Sequence, residues 1–191
     1  MLKELIIKNR SYRRFYQDER IDKGTLLKLI DLARLSSSGR NIQALKYIVS
    51  YDRETNEKVF KNLRWAGYLK DWNGPEEGEK PSAYIIGLLD LELADDCYWD
   101  HGIAAQSILL GATEIGLGGC MFGSIDKVNL RKEFDVDDKY KILMVIALGK
   151  PKENVILDEI GEDGDIEYWR DDDENHHVPK RKLEDLIIDN K

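Results

Sequence analysis

The chain has 191 residues, 42% hydrophobic and 35% charged, which is enough for one domain with a buried core. Its 29 Lys and Arg against 37 Asp and Glu leave a net charge of −8. That balance speaks against a general affinity for nucleic acid or for an anionic membrane.

In chain order, 2–9 ("LKELIIKN") reads as a short helix, and Asp22 as the cap of a helix reaching about Leu35, with Leu26, Ile30 and Ala33 on one face. Residues 46–51 read as a strand, 55–63 as a helix and the β-rich apolar run 82–90 as a buried strand. Residues 100–115 form a helix that is apolar nearly all round, which predicts a place in the centre of the fold. A glycine-rich segment, 116–124, holds a short strand; a helix near 127–134 and a buried strand at 141–149 follow. Residues 158–174 carry ten acidic residues and one Arg, and read as a solvated loop. Mixed helices and strands with two buried strands predict a layered α/β or α+β domain.

No apolar run approaches the ~18–20 residues of a membrane span. The N-terminal stretch lacks a signal-peptide apolar region, and two cysteines, Cys97 and Cys120, exclude a disulfide scaffold. A reducing, cytoplasmic setting is therefore expected. The dinucleotide fingerprint fails, because Met121 stands where Gly116, Gly118 and Gly119 would need a further glycine. No phosphate-binding P-loop, HExxH, CxxC or GxSxG occurs, and no metal site is expected.

Four segments carry chemistry. In "NRSYRRF" (9–15), Arg10 and Arg13 offer paired donors to an anion, and Ser11 adds a hydroxyl; a solvated basic turn is the plainer alternative. In "SSSGRNIQ" (36–43), Ser37, Ser38 and Gly39 allow close backbone approach to a ligand, and Asn41 has an amide able to read a heteroaromatic edge; a helix end at Gly39 is the alternative. The 116–124 glycines permit either a flat ligand or tight helix–strand packing. Lys180 and Lys182 in "PKRKLEDL" reinforce the N-terminal cations if the termini meet, and otherwise form a charged tail.

Together, "RSYRRF", "ARLSSSGRNIQ", "DHGIAAQSILLGATEIGLGGCMFGSID", "IALGKPKE" and "PKRKLEDL", in this order and spacing, resemble the FMN-dependent nitroreductase family over nearly the whole chain. The resemblance implies a single α+β domain over 1–191: a sandwich with a central mixed sheet flanked by helices, assembled as an obligate homodimer with FMN at the interface. It implies that Arg10, Ser11 and Arg13 hold the phosphate and ribityl chain, completed by Lys180 and Lys182. Ser37, Ser38, Gly39 and Asn41, from the partner subunit, would line the isoalloxazine edge. Phe122, Gly123 and Ser124 would lie on its other side, with the backbone N–H near Gly123 toward flavin N5. The chain departs from the pattern at Asn9, where a second Arg is frequent, at Ser37, where Pro is frequent, and at Ala44-Leu45, where Pro-Trp is usual.

Trp65, Tyr68 and Trp72 are spaced three and four apart and would share one face of a helix. They are candidates for stacking on a flat substrate, or else for packing within the protein. The implied activity is NAD(P)H-dependent reduction of nitroaromatics, quinones or flavins by ping-pong hydride transfer, with no catalytic side chain because the cofactor carries the chemistry. The alternatives are a flavin-binding module or sensor without turnover, or a related reductive dehalogenase or ring-oxidising flavoenzyme.

Overall fold

A computed structural model of the protein describes residues 1–188. Their contacts fall into two compact units: residues 1–64 with 75–152, and residues 65–74 with 153 onward.

The first unit is built on a five-stranded sheet. Its elements are α1 (Leu2–Lys8), β1 (Phe15–Tyr16), α2 (Lys23–Leu35), β2 (Leu45–Ser50), α3 (Arg53–Phe60), β3 (Ala83–Asp90), α4 (Asp100–Glu114), β4 (Gly118–Phe122), α5 (Lys127–Glu133) and β5 (Tyr140–Pro151). β5 is the central strand. It pairs with β3 along one edge (Ala83 opposite Leu148) and with β4 and then β1 along the other (Cys120 opposite Ala147, Phe15 opposite Pro151). Every strand ladder of this sheet is antiparallel, where a mixed sheet was expected; a single bridge, Ser11 to Gly119, runs parallel.

The period of two along the strands sorts side chains between the faces. Ala83, Ile85, Ile146 and Leu148 pack with Leu26 and Leu29 of α2 and with Ala105, Ile108 and Leu109 of α4 in one core. Each residue of β3 is buried, as its unbroken apolar run requires. Helix starts follow their caps: Asp22, Asp52 and Asp126 each accept a backbone N–H three residues on. α4 departs from expectation. Its Ala104, Ile108 and Ala112 are buried, but Ile103 and Ile115 are 41% and 56% exposed, so one chain covers only part of this apolar helix.

The second unit contains a three-stranded sheet, β6 (Val155–Glu159), β7 (Trp169–Arg170) and β8 (His176–Lys180), with β8 in the middle. The acidic segment is therefore not a loop throughout; residues 158–159 lie in β6 and 169–170 form β7. His177 explains this. Its ring bonds Asp158 (2.7 Å) through Nδ1 and Asp171 (3.2 Å) through Nε2, and stacks on Trp169 at 4.1 Å. Two carboxylates that would repel each other share one imidazole.

Desolvation of the His177 ring works to lower its pKa, but the bonds to Asp171 and Asp158 outweigh it and hold the pKa above the ordinary 6.5. A raised folded pKa stabilises fully below the unfolded value and is lost as pH rises through the folded one. Amide exchange in 155–159 and 176–180, corrected for intrinsic rate, should therefore accelerate as pH climbs above neutrality. His177→Gln should remove that dependence; a pH-independent profile in the unsubstituted chain would refute the clamp.

Candidate functional site

The "RSYRRF" segment lies alongside β4. Ser11 bridges Gly119, and the Tyr12 N–H donates to the Gly119 carbonyl at 3.0 Å. The glycines of β4 make this approach possible. A Cβ on Gly118 would fall 2.4 Å from the Tyr12 ring, and one on Gly119 would fall 2.4 Å from the Ala147 carbonyl oxygen and 2.7 Å from Leu109. These two glycines therefore serve packing. Gly123 differs: nothing lies within 4 Å of where its Cβ would be. Phe122 is buried, while Gly123 and Ser124 are exposed, and the Ser124 carbonyl accepts from the Arg64 N–H.

The N-terminal cations divide by environment. Arg14 is consumed by a two-point pair with Glu79 (2.6 and 2.7 Å), which Lys152 joins at 2.8 Å. Bonding from Arg14, opposed by desolvation and aided by Lys152, holds the Glu79 carboxyl down to about 2. Arg13 is buried, and its Nη1 donates to the Ser11 carbonyl at 3.2 Å. Arg10 donates from Nη2 to the Ile6 carbonyl at 2.6 Å, while its Nε is buried without a hydrogen-bond partner. Burial pulls the Arg10 pKa down from its usual value. A partly desolvated guanidinium with an idle donor suits an anion.

The serine loop is held by a residue that the sequence motifs did not single out. Asp100, in the first turn of α4, accepts from the Ser38 hydroxyl (2.7 Å) and from the Gly39 N–H (2.9 Å). The Ser38 Oγ in turn accepts from the Gln43 N–H at 2.9 Å. Arg40, Asn41 and Gln43 all have positive φ, at 50°, 57° and 55°. Three left-handed non-glycine residues within four positions mark a conformation imposed from outside the loop, as occurs at ligand sites. Ser37 and Asn41 are exposed. A cavity of about 250 Å³ lies between this loop and α4, lined by Ser37, Ser38, Gln43, Tyr47, Asp100 and Ala104. Desolvation first, and the Asp100 charge second, push the Tyr47 phenol up to about 12, so it stays neutral. Asp100→Ala should free the loop, costing about 1–3 kcal/mol for the two bonds lost to a charged acceptor; hydrogen exchange at Gly39 and Gln43 reports it, and unchanged protection would show that the loop holds itself.

Lys180, Lys182, Trp65, Tyr68 and Trp72 belong to the second unit. Lys180 is exposed, and Lys182 pairs with Glu159 at 2.9 Å. The aromatic stripe is not helical. Residues 65–72 form turns, with Ala66 at φ 31°, and no cap precedes them. Trp65 and Trp72 meet edge to face at 6.2 Å, Tyr68 packs on Tyr168 at 4.9 Å, and the Arg170 guanidinium lies 4.4 Å from the Trp72 ring. All three rings thus have neighbours within this unit, while Tyr68 stays 42% exposed. No cluster of three or more metal-ligating side chains exists among the described residues, nor any helix long and apolar enough to cross a membrane.

Residues 91–150, from the end of β3 through most of β5, match the model of the nitroreductase family. A Methanothermobacter thermautotrophicus protein, provisionally named NADH dehydrogenase/NAD(P)H nitroreductase, is 31% identical over 155 residues, 78% of this chain and 76% of its own length. The chain belongs to the nitroreductase family. Among solved structures of this family, one from Clostridium novyi NT superposes with TM-score 0.65 at 24% identity, covering 80% of this chain and 87% of that one. An FMN-dependent nitroreductase from Clostridium difficile R20291 is similar at TM-score 0.61 and 26% identity, over 78% and 87% of the two chains. The mixed α+β fold is thus the nitroreductase fold.

Proposed function

We propose that this nitroreductase-family chain is an FMN-dependent NAD(P)H oxidoreductase acting as a homodimer, with the whole chain serving as one FMN-binding domain. The observation that carries the reading is the Arg10 guanidinium, desolvated and with Nε idle, beside Ser11 on a segment fixed against β4. Arg10, Ser11 and Arg13 would hold the phosphate end. The open space at Gly123 suits close approach of a flat ring, and Phe122 and Ser124 flank it. Ser37, Ser38, Gly39 and Asn41 would come from the partner subunit. Leu35, Trp99 and Ile103, at 65%, 81% and 41% exposure in a single chain, support such an assembly. Lys180 and Lys182 would add positive charge.

When bound, FMN would supply hydride chemistry between NAD(P)H and a nitroaromatic, quinone or flavin acceptor. The chain's own residues bind and orient. Arg10 and Arg13 would neutralise the phosphate, the Asp100-anchored loop presents its exposed amide and hydroxyl groups, and the neutral Tyr47 offers a phenol to the adjoining cavity. The purified protein should show the two-band visible spectrum of oxidised flavin at about one FMN per chain. A colourless protein that takes up no added FMN would overturn the reading. Ping-pong kinetics are expected, and a ternary complex would count against one shared face.

One observation favours a second reading, a flavin-binding module without turnover: the Ser38 hydroxyl and the Gly39 N–H are already engaged by Asp100. Anaerobic NADH or NADPH bleaches the flavin at catalytic rates only if the oxidoreductase reading holds.

A further inference from the structure

A cavity of about 480 Å³ opens at the N-terminal end of β3, between the starts of α2 and α3. It shares no residue with the serine loop, "RSYRRF" or 122–124. Two of the residues lining it carry hydroxyls that the fold leaves unused. Tyr84 is fully buried and Ser82 is 5% exposed, and neither its phenol oxygen nor the serine Oγ has a hydrogen-bond partner. They stand two apart in the chain, at and just before the start of β3, and both residues line the cavity. A buried hydroxyl without a partner is costly, and two at one cavity are not expected from packing alone.

The surroundings narrow what would satisfy them. Four cationic side chains and four carboxylates line the cavity, so its walls carry no net charge. Many of these charges are already committed. Asp22 and Asp52 cap α2 and α3, and Lys80 is bound to Glu57 at 2.9 Å while lying over the Phe60 ring at 4.6 Å. A charged ligand would have to break such pairs; an uncharged one would not. Burial, aided by the Glu57 charge, keeps the Tyr84 phenol protonated, so it can donate as well as accept. Ile21, Phe60 and Pro81 supply apolar wall. The volume lies within the range of small-molecule sites.

We propose that this cavity is a second ligand site, taking a small uncharged aromatic molecule whose polar group both donates and accepts hydrogen bonds, of the aryl carboxamide class. The Tyr84 and Ser82 hydroxyls bind the amide, and the ring lies against Phe60 and Pro81. The site is independent of the flavin reading and stands or falls separately.

Benzamide is the probe, with benzoate as the charged control of the same shape and toluene as the control without a polar group. The protein as purified is titrated while the Ser82 and Tyr84 amide resonances and the thermal midpoint are followed. Saturable shifts with benzamide, and weaker ones with both controls, are expected. Tyr84→Phe and Ser82→Ala should each weaken benzamide about tenfold. Without ligand, both variants should keep or raise the thermal midpoint, because each removes a buried polar atom that has no partner. Absence of saturable binding overturns the proposal. So does binding that survives Tyr84→Phe, or a fall in midpoint in both variants, which would show that the hydroxyls already serve the fold.

Discussion

Gly119→Ala is expected to destabilise the protein more than any other single methyl added to β4 or its flanks. The new Cβ would stand 2.4 Å from the Ala147 carbonyl oxygen on β5 and 2.7 Å from Leu109 on α4. Leu109 could rotate, but Ala147 is in the middle of the central strand and its backbone cannot retreat. The strand pairing that carries Tyr12 would shift with it, because Gly119 both bridges Ser11 and accepts from the Tyr12 N–H. Overpacking of this kind costs about 3 kcal/mol, which lowers the thermal midpoint of a domain this size by about 6–12 °C. Gly123→Ala is the control: its Cβ enters open space, and stability should change by less than about 0.5 kcal/mol. Any cofactor effect of Gly123→Ala then reports the site rather than the fold. Equal midpoints for the two variants would mean that β4 can slide away from β5, contrary to the packing described.

Most of the first unit was legible because its signals are local. The apolar run 82–90 and the run 141–149 became β3 and β5 within a residue or two, and the capped pattern after Asp22 became α2. What was misread depends on partners far along the chain. Trp65, Tyr68 and Trp72 have helical spacing, yet Tyr68 is held by Tyr168, a hundred residues on, and Ala66 at positive φ breaks any helix. Residues 158–174 are acidic enough to read as solvated. Only the pairing of His177 with both Asp158 and Asp171 shows why strands form there. Asp100 escaped notice for the same reason. Its role depends on a loop ending sixty residues earlier returning to the first turn of α4. An acidic residue at a helix start is ordinarily read as complementing the helix dipole, and nothing local marks it as the anchor of a binding loop. The left-handed residues at 40, 41 and 43 are likewise invisible in composition: of the three, only Asn41 is a residue type that favours that conformation.

Arg10→Ala is expected to weaken FMN binding about 10- to 100-fold while leaving the fold in place. Within the protein, Arg10 makes one described hydrogen bond, to the Ile6 carbonyl at the end of α1, so its loss removes little from stability. Toward a phosphate it would contribute a charge-assisted bond from a partly desolvated guanidinium, and such bonds are worth about 1.5–3 kcal/mol, or roughly 10- to 100-fold in affinity. Arg14 cannot substitute, because Glu79 and Lys152 fix it in another network. Asn9, where the family frequently has a further Arg, supplies no charge either. Arg10→Lys separates the two parts of the effect: it keeps the positive charge but loses the planar fork, and should lie between alanine and the unsubstituted protein. Fluorescence titration of FMN against each variant, with the thermal midpoint measured alongside, gives both quantities. An alanine variant that binds FMN as tightly as the unsubstituted chain would remove the observation on which the oxidoreductase reading rests. A variant that loses FMN and more than a few degrees of midpoint would instead mark Arg10 as a clamp on α1, because the idle Nε would then be incidental to the site.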